Sequence, residues 1–371
     1  MEKPIRFEVR IPEIPKILRY TLPQNCAIFL GPPGIGKTVA CYEYAKEEAK
    51  RMGRRFIDYD AEIYELAKVI PELREAIFVE ETKQVIVRNA EQFRTLVNLE
   101  ATMAKELIMN ADKYYVYKHL RHYEIEPTDL TGLPREVRFD DFVGDVIAYK
   151  PFLYVKVFQL LPGMIFWDEV TVRAREDQVA NLMKAINERK LGATTLHPLV
   201  RQVCAGNRAE ESMISEKLAE PIKRGRAKII GCLPPTIEEW IHFMDSHREK
   251  WDVRTAAYLK KVPEDFFAPE SEAEEGEPCP RSWDKLAVEM AMIDDPDVLE
   301  PTIVGWLGSA VGGRFIAFLR SPIPDAEDLI KEPSLFKGLD LDGKYLASVI
   351  VASAYNRNKK ISLGQVYPFV K

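Results

Sequence analysis

Gly31-Pro32-Pro33-Gly34-Ile35-Gly36-Lys37-Thr38 follows the apolar run Cys26-Ala27-Ile28-Phe29-Leu30 and precedes Val39-Ala40-Cys41-Tyr42-Glu43-Tyr44-Ala45. A short apolar run ended by Gly-Pro fits a buried strand better than a helix. Downstream, Val39, Cys41, Tyr44, Ala45, Ala49 and Met52 give a rough helical apolar face, and Gly53 is placed to stop it. The order is strand, glycine loop, helix. The octet matches Gly-x4-Gly-Lys-Thr in full, a pattern in which glycines let consecutive N–H groups and a helix N-terminus face a phosphate. Gly31, Pro32, Pro33, Gly34, Ile35, Gly36, Lys37, Thr38 and Val39 are therefore expected to cradle a nucleotide. Lys37 would contact the β- and γ-phosphates, and Thr38 would ligate Mg2+.

A second buried strand is expected at Met164–Trp167, followed by Asp168-Glu169. Between Glu176 and Lys190, Val179, Leu182, Met183 and Ile186 fall at helical spacing, with Gly192 beyond them. Val200–Asn207 supplies a third strand candidate. Strands alternating with helices argue for a parallel, doubly wound α/β sheet. At a strand's carboxyl end Asp168 can join the Mg2+ shell, and Glu169 can polarise the water that attacks the γ-phosphate. Asn207 ends the third strand within reach of the same chemistry. Phosphoryl transfer also needs cations near the γ-phosphate, for which Arg224 and Arg281 are candidates that spacing alone does not single out.

The chain of 371 residues is long enough for two domains of ~100–200 residues each. The net charge of −6 supplies no global basic field, which lowers the expectation of a nucleic-acid coat protein without excluding a local channel. The five cysteines contain no CxxC pair, so neither a disulfide framework nor a zinc site is indicated. No apolar run is read as approaching the ~18 residues of a membrane span, and the N-terminus lacks the apolar core of a signal peptide. A cytoplasmic protein without a membrane partner is the expectation. The histidines, including His122, His197 and His242, form no ligand-spaced cluster, and packing or solvated roles are expected for them. Trp167, Trp240 and Trp283 are expected in cores.

Between the first two strand-loop units lies far more chain than the roughly 30 residues of a minimal βαβ unit. A charged, mainly helical insertion is expected at about 60–112, with Phe93, Leu96, Val97, Ala104, Leu107 and Ile108 on its buried face. Residues 1–232 are assigned to a nucleotide-binding αβα domain and 233–371 to a smaller helical domain. Thr236 with Glu239 forms a capping box opening a helix that buries Ile237, Trp240, Ile241 and Met244. Glu264–Pro278, acidic and proline-bearing, is expected as a solvated loop.

In this order the motifs resemble the MoxR-like branch of the AAA+ ATPases. GPPGIGKT resembles Walker A, GMIFWDEVT resembles Walker B, and EPTDLTGLP (Glu126 to Pro134) is similar to the segment preceding Walker B. NERKLGATTLHPLVRQVCAGNRAE looks like the hairpin leading to the sensor-1 Asn207. SEKLAEPIKRGRAKI places Arg224 at the arginine-finger position, with Arg226 close by; PPTIEEW opens the helical lid; CPRSWDKLA resembles the sensor-2 segment containing Arg281. The likeness runs from about residue 20 to about residue 320, and the insertion lies where the family usually has a shorter connection.

The resemblance implies an AAA+ core with a helical lid, assembled as a ring, usually a hexamer, with ATP between subunits. Lys37, Asp168, Glu169, Asn207 and Arg281 would act on their own ATP and Arg224 on the neighbour's. It also implies chaperone-like remodelling of protein clients, among them von Willebrand factor A domain proteins and metal-containing enzymes. A DNA-directed motor, with hairpins around Phe139–Val157 and Leu191–Pro198 lining a pore, stays open as an alternative. So do an assembly scaffold with little hydrolysis and a small-molecule P-loop kinase, although the intact Glu169 opposes the scaffold and the sensor-like Asn207 opposes the kinase.

Overall fold

The computed structural model describes residues 8–140, 144–172, 175–209, 215, 218, 220–268, 275–320, 326–339, 341–357 and 361–369. The chain forms two compact units: Lys37–Leu233 with the segment up to Pro33, and Gly34–Gly36 with the chain from Pro234 onward.

Among the described residues, the first unit has thirteen strands. They are β1 (Glu8–Arg10), β2 (Cys26–Leu30), β3 (Arg55–Asp58), β4 (Ile77–Val79), β5 (Gln84–Ile86), β6 (Tyr114–Arg121), β7 (Leu133–Asp140), β8 (Gly144–Lys150), β9 (Gly163–Asp168), β10 (Lys190–Leu191), β11 (Thr194–Thr195), β12 (Val200–Gly206) and β13 (Ala227–Leu233). Seven form one parallel sheet in the order β1-β13-β2-β12-β9-β6-β3. The other six pair as antiparallel hairpins, β4-β5, β7-β8 and β10-β11.

Its helices are α1 (Ile14–Arg19), α2 (Lys37–Arg51), α3 (Tyr59–Lys68), α4 (Ala90–Met109), α5 (Pro127–Thr131), α6 (Leu153–Leu160), α7 (Glu176–Glu188) and α8 (Glu220–Lys223). Both faces of the sheet are covered, which is why its strands are apolar at consecutive positions. Cys26, Ile28, Val116, Ile165, Trp167 and Cys204 join one core with residues of α4, α6 and α7. The alternate residues Ala27, Phe29, Tyr115, Phe166 and Ala205 are equally buried but lie outside that cluster, as side chains of successive strand residues must. The architecture is an αβα sandwich with a parallel central sheet.

The insertion is mainly helical, α3 and α4, but carries the β4-β5 hairpin that the sequence reading lacked. Its buried face also differs: Ala104 and Leu107 are buried and Ile108 packs against them, whereas Phe93 and Val97 are exposed. The N-terminal part of α4 thus presents two apolar side chains to solvent. Of the segment expected as a pore hairpin, Phe139–Val157, residues 139–140 and 144–150 belong to the β7-β8 ribbon and 153–157 to α6, while residues 141–143 lie outside the described residues.

The second unit is helical: α9 (Ile237–His247), α10 (Arg254–Lys261), α11 (Pro280–Met290), α12 (Pro296–Leu319), α13 (Ala326–Lys331), α14 (Ser334–Lys337), α15 (Leu341–Arg357) and α16 (Leu363–Val366). The Thr236 hydroxyl accepts from the Glu239 N–H at 3.1 Å and the Glu239 carboxylate accepts from the Thr236 N–H at 2.8 Å, closing the capping box. Trp240, Met244, Tyr258, Trp283, Leu307 and Phe315 dominate its core.

Two expectations are corrected in this unit. Glu264–Pro278 is not a solvated loop at its start, because Asp265 and Phe266 are buried; Asp265 takes hydrogen bonds from Tyr258 and Arg314. Residues 269–274 of that segment lie outside the described residues. Secondly, α12 has 24 residues and is apolar and long enough to cross a membrane by length and composition, contrary to the expectation that no apolar run approaches such a span. Ile303, Leu307, Val311 and Phe315 of α12 face the core, and a kink at Gly308, φ 74°, breaks the helix.

Candidate functional site

The octet turns tightly from β2 into α2. A Cβ on Gly31 would sit 2.6 Å from the Cys232 carbonyl oxygen, and Gly34 and Gly36 have φ of 73° and 103°. These positions require glycine, since a side chain at the first meets backbone and at the others meets the left-handed penalty. The loop ends at the N-terminus of a helix of 15 residues, where unpaired N–H groups and the helix dipole favour an anion.

Lys37 is the first residue of α2, and its Nζ donates to the carbonyls of Gly31 and Pro32, both at 2.7 Å, and to Asn207 Oδ1 at 3.0 Å. The ammonium is thereby fixed across the loop mouth. Asn207 is set in turn by its own backbone, whose N–H donates to Thr171 Oγ1 at 2.9 Å. Thr171 is buried against Gly206, where a Cβ would approach its hydroxyl to 2.6 Å.

Asp168, at the carboxyl end of β9, gathers three contacts. Thr38 Oγ1 donates to its Oδ2 at 3.1 Å, His119 Nε2 lies 3.1 Å from the same oxygen, and the Glu169 N–H donates to Oδ1 at 3.0 Å. Burial pushes the Asp168 carboxyl up, but the hydrogen bond and charge of His119, with Thr38 and the Glu169 N–H, outweigh it and leave the group below its ordinary value. An ionised carboxylate beside a hydroxyl is a hard oxygen donor set of the kind Mg2+ takes. Thr38 and Asp168 could hold that ion, and the glycine loop at the start of α2 fits an anion such as phosphate.

Glu169 has φ 57°, a left-handed conformation uncommon for a residue with a side chain. The turn is secured on both sides: the Val170 N–H donates to Ala205 O at 3.0 Å and the Val172 N–H to Glu169 O at 3.0 Å. Strain of this kind often sits at functional positions.

The three arginines are placed differently from this cluster. Arg224 and Arg226 are exposed in the turn between α8 and β13 and make no hydrogen bond or ion pair with Lys37, Asp168 or Asn207. Arg281 is exposed at the start of α11, and its backbone N–H donates at 3.2 Å to the carbonyl of Gly34, a residue grouped with the same unit.

His119 and Thr171 were missed by the sequence reading. The histidines were weighed as metal ligands, and none was placed on a strand. Tyr114–Arg121 carries a usable signal, being β-rich and turning polar at its carboxyl end as β9 does. In register, His119 sits opposite Phe166 and Arg121 opposite Asp168. Thr171 gave no signal beyond its proximity to Asp168.

No protein-family model matches the chain. No curated protein is similar to it at the level searched. Among solved structures, it is similar to Cdc6p from Pyrobaculum aerophilum, with 13% identity over 97% of this chain and 83% of that one, at a TM-score of 0.33. It is also similar to the replication initiator DnaA bound to AMPPCP and single-stranded DNA, with 11% identity over 96% of this chain and 81% of that one, at a TM-score of 0.32. Likeness at this level says nothing about substrate or partner.

Proposed function

We propose that this chain is an Mg-ATP hydrolase, an AAA+ ATPase of the MoxR-like type that assembles as a cytoplasmic ring, a hexamer, and uses ATP to remodel or activate a protein client. The observation that supports it is the convergence of Lys37, Thr38, Asp168 and Asn207, drawn from three separate segments of the chain to one end of the parallel sheet. A glycine turn alone needs no such partners. An NTPase site needs a cation for the phosphates, an oxygen pair for the metal and a polar group for the water.

Each residue then has a defined task. The N–H groups of Gly34–Thr38 and the start of α2 receive the phosphates, and Lys37 balances the charge of the β- and γ-phosphates. Thr38 and Asp168 would hold Mg2+, which supplies charge neutralisation at the phosphate oxygens. Glu169 takes the proton of the attacking water, and Asn207 orients that water. Arg281 serves the subunit's own nucleotide, and Arg224, free of contacts with its own cluster, serves the neighbour's. The client class, including von Willebrand factor A domain proteins, comes from the sequence resemblance alone.

The test is steady-state ATPase rate per subunit against protein concentration for wild type, Lys37→Ala and Arg224→Ala, with native mass measured on the same samples. Specific activity that rises with assembly and collapses in both variants is the expected result. Activity independent of concentration and indifferent to Arg224 would refute the ring. Glu169→Gln is expected to keep ATP binding and lose turnover.

A further inference from the structure

A cavity of about 550 Å³ opens at the carboxyl ends of β3 and β6, walled on its far side by the turn of the β4-β5 hairpin. It shares only Thr38 and Val39 with the phosphate loop, and the volume is that of a small-ligand site. Its charges are unevenly matched. Four carboxylates, Asp58, Asp60, Glu81 and Glu124, face Lys83, Lys118 and Arg121, while His119, also in the lining, is turned to Asp168. Every one of those cations is already engaged: Lys118 with Asp60, Arg121 with Glu124 at 3.2 Å, and Lys83 with Glu80, which lies outside the lining. Lys118 is shared between Asp60 and Asp58, whose carboxyl burial holds above its ordinary value, and Glu81 is left without a cationic partner among the described residues.

Asp58 already accepts the Ala61 N–H at 3.3 Å as the cap of α3, and its carboxylate also takes the Tyr42 hydroxyl. Beside it stands Tyr117, 2% exposed and held edge-on by Tyr42 with ring centroids 5.0 Å apart. The Tyr117 hydroxyl lines the cavity and has no hydrogen-bond partner among the described residues. That hydroxyl is not one of the sealed orphan polar atoms of the core, so a polar group entering the cavity can meet it. Val39, Leu120 and Ile125 add an apolar stretch between the polar groups.

We propose that this cavity binds a small two-ended organic cation, an alkyl chain bearing ammonium or guanidinium groups. One end pairs with Asp58 and the Tyr117 hydroxyl, the other with Glu81, and the methylenes lie on Val39, Leu120 and Ile125. An ammonium over or beside tyrosine rings also gains from their electron-rich faces. The site gives the insertion at 60–112 a purpose, because the hairpin turn supplies Glu81. It does not depend on the nucleotide assignment.

Calorimetric titration with agmatine as the probe tests it, using full-length wild type, Asp58→Asn, Glu81→Gln and Lys37→Ala. Asparagine keeps the helix cap, so Asp58→Asn is expected to fold. Wild type is expected to bind agmatine, each carboxylate variant to bind it about tenfold more weakly or worse, and Lys37→Ala to bind it as wild type does. Inorganic phosphate is expected not to compete, and a lysine- and arginine-containing peptide amide to bind more weakly than agmatine. No binding up to about 10 mM, affinity indifferent to both carboxylate variants, competition by phosphate, or tighter binding of the peptide would each overturn the assignment. Loss of ATPase activity in Lys37→Ala with agmatine affinity unchanged would separate the two sites.

Discussion

Replacing His119 with alanine tests whether Asp168 is held in place by a residue that spacing did not reveal. His119 Nε2 is one of three groups on the Asp168 carboxylate and shares Oδ2 with Thr38. A hydrogen bond to a charged group is worth about 1.5–3 kcal/mol. The His119 side chain is 34% exposed, so solvent screening lowers that to about 1–1.5 kcal/mol, or roughly tenfold in an equilibrium constant. Outer partners of metal-binding carboxylates typically carry effects of about 10–100-fold on metal affinity, which agrees in order of magnitude. The assay is half-saturating Mg2+, measured in the ATPase reaction and, without turnover, in binding of a fluorescent ATP analogue. His119→Ala is expected to raise it about tenfold in both. His119→Gln, which can offer an amide N–H, is expected to recover most of the loss. A folded His119→Ala protein whose Mg2+ half-saturation stays within about twofold of wild type would show that Thr38 and the Glu169 N–H suffice.

Two further perturbations concern stability. Arg201 and Glu48 are buried together at 3.4 Å, with Arg201 also donating to the carbonyls of Leu18 and Thr21; Arg201→Met is expected to lower unfolding free energy by about 3 kcal/mol in urea titrations. Burial raises the Glu48 carboxyl, but Arg51, Arg201 and Tyr44 bring it below its ordinary value of 4.5. Its stabilisation is therefore complete above that pH and lost as pH falls through the folded value. Wild type should accordingly lose more stability than Arg201→Met on acidification to about pH 3. In the second unit, Gly308 has φ 74° and a Cβ there would lie 2.5 Å from the Gly276 carbonyl oxygen; Gly308→Ala is expected to cost about 1–3 kcal/mol, read as a fall in melting temperature.

What the sequence disclosed follows from how local its physics was. The octet is legible from its glycine and lysine spacing, and β2 and β9 are short apolar runs followed by turn or polar residues, each of which states its own burial. The helix from Glu176 ends at Glu188, and the left-handed cap there is Arg189 rather than a glycine, a choice set by the tertiary turn into β10. β3 and β6 mix tyrosine, lysine, arginine and aspartate with apolar side chains, and only sheet neighbours make those strands. α12 was overlooked because Arg314 interrupts an otherwise apolar stretch; in the fold that arginine reaches Asp265. The contacts of Lys37 with Asn207 and of Thr38 with Asp168 join residues 170 and 130 positions apart. The residue types were legible, whereas His119 and the cavity beside it depend on strand order, which no local pattern encodes.

On the role proposed above for Glu169, its left-handed backbone sets stability against chemistry at a single codon. A side chain in that conformation costs about 1 kcal/mol relative to glycine. A laboratory population selected only for thermal resistance would drift there toward glycine or asparagine, shedding the carboxylate as it gained robustness. One selected for turnover would hold glutamate against that gradient. Sequencing position 169 after each regime would thus report which demand the chain had been meeting, without any kinetic measurement.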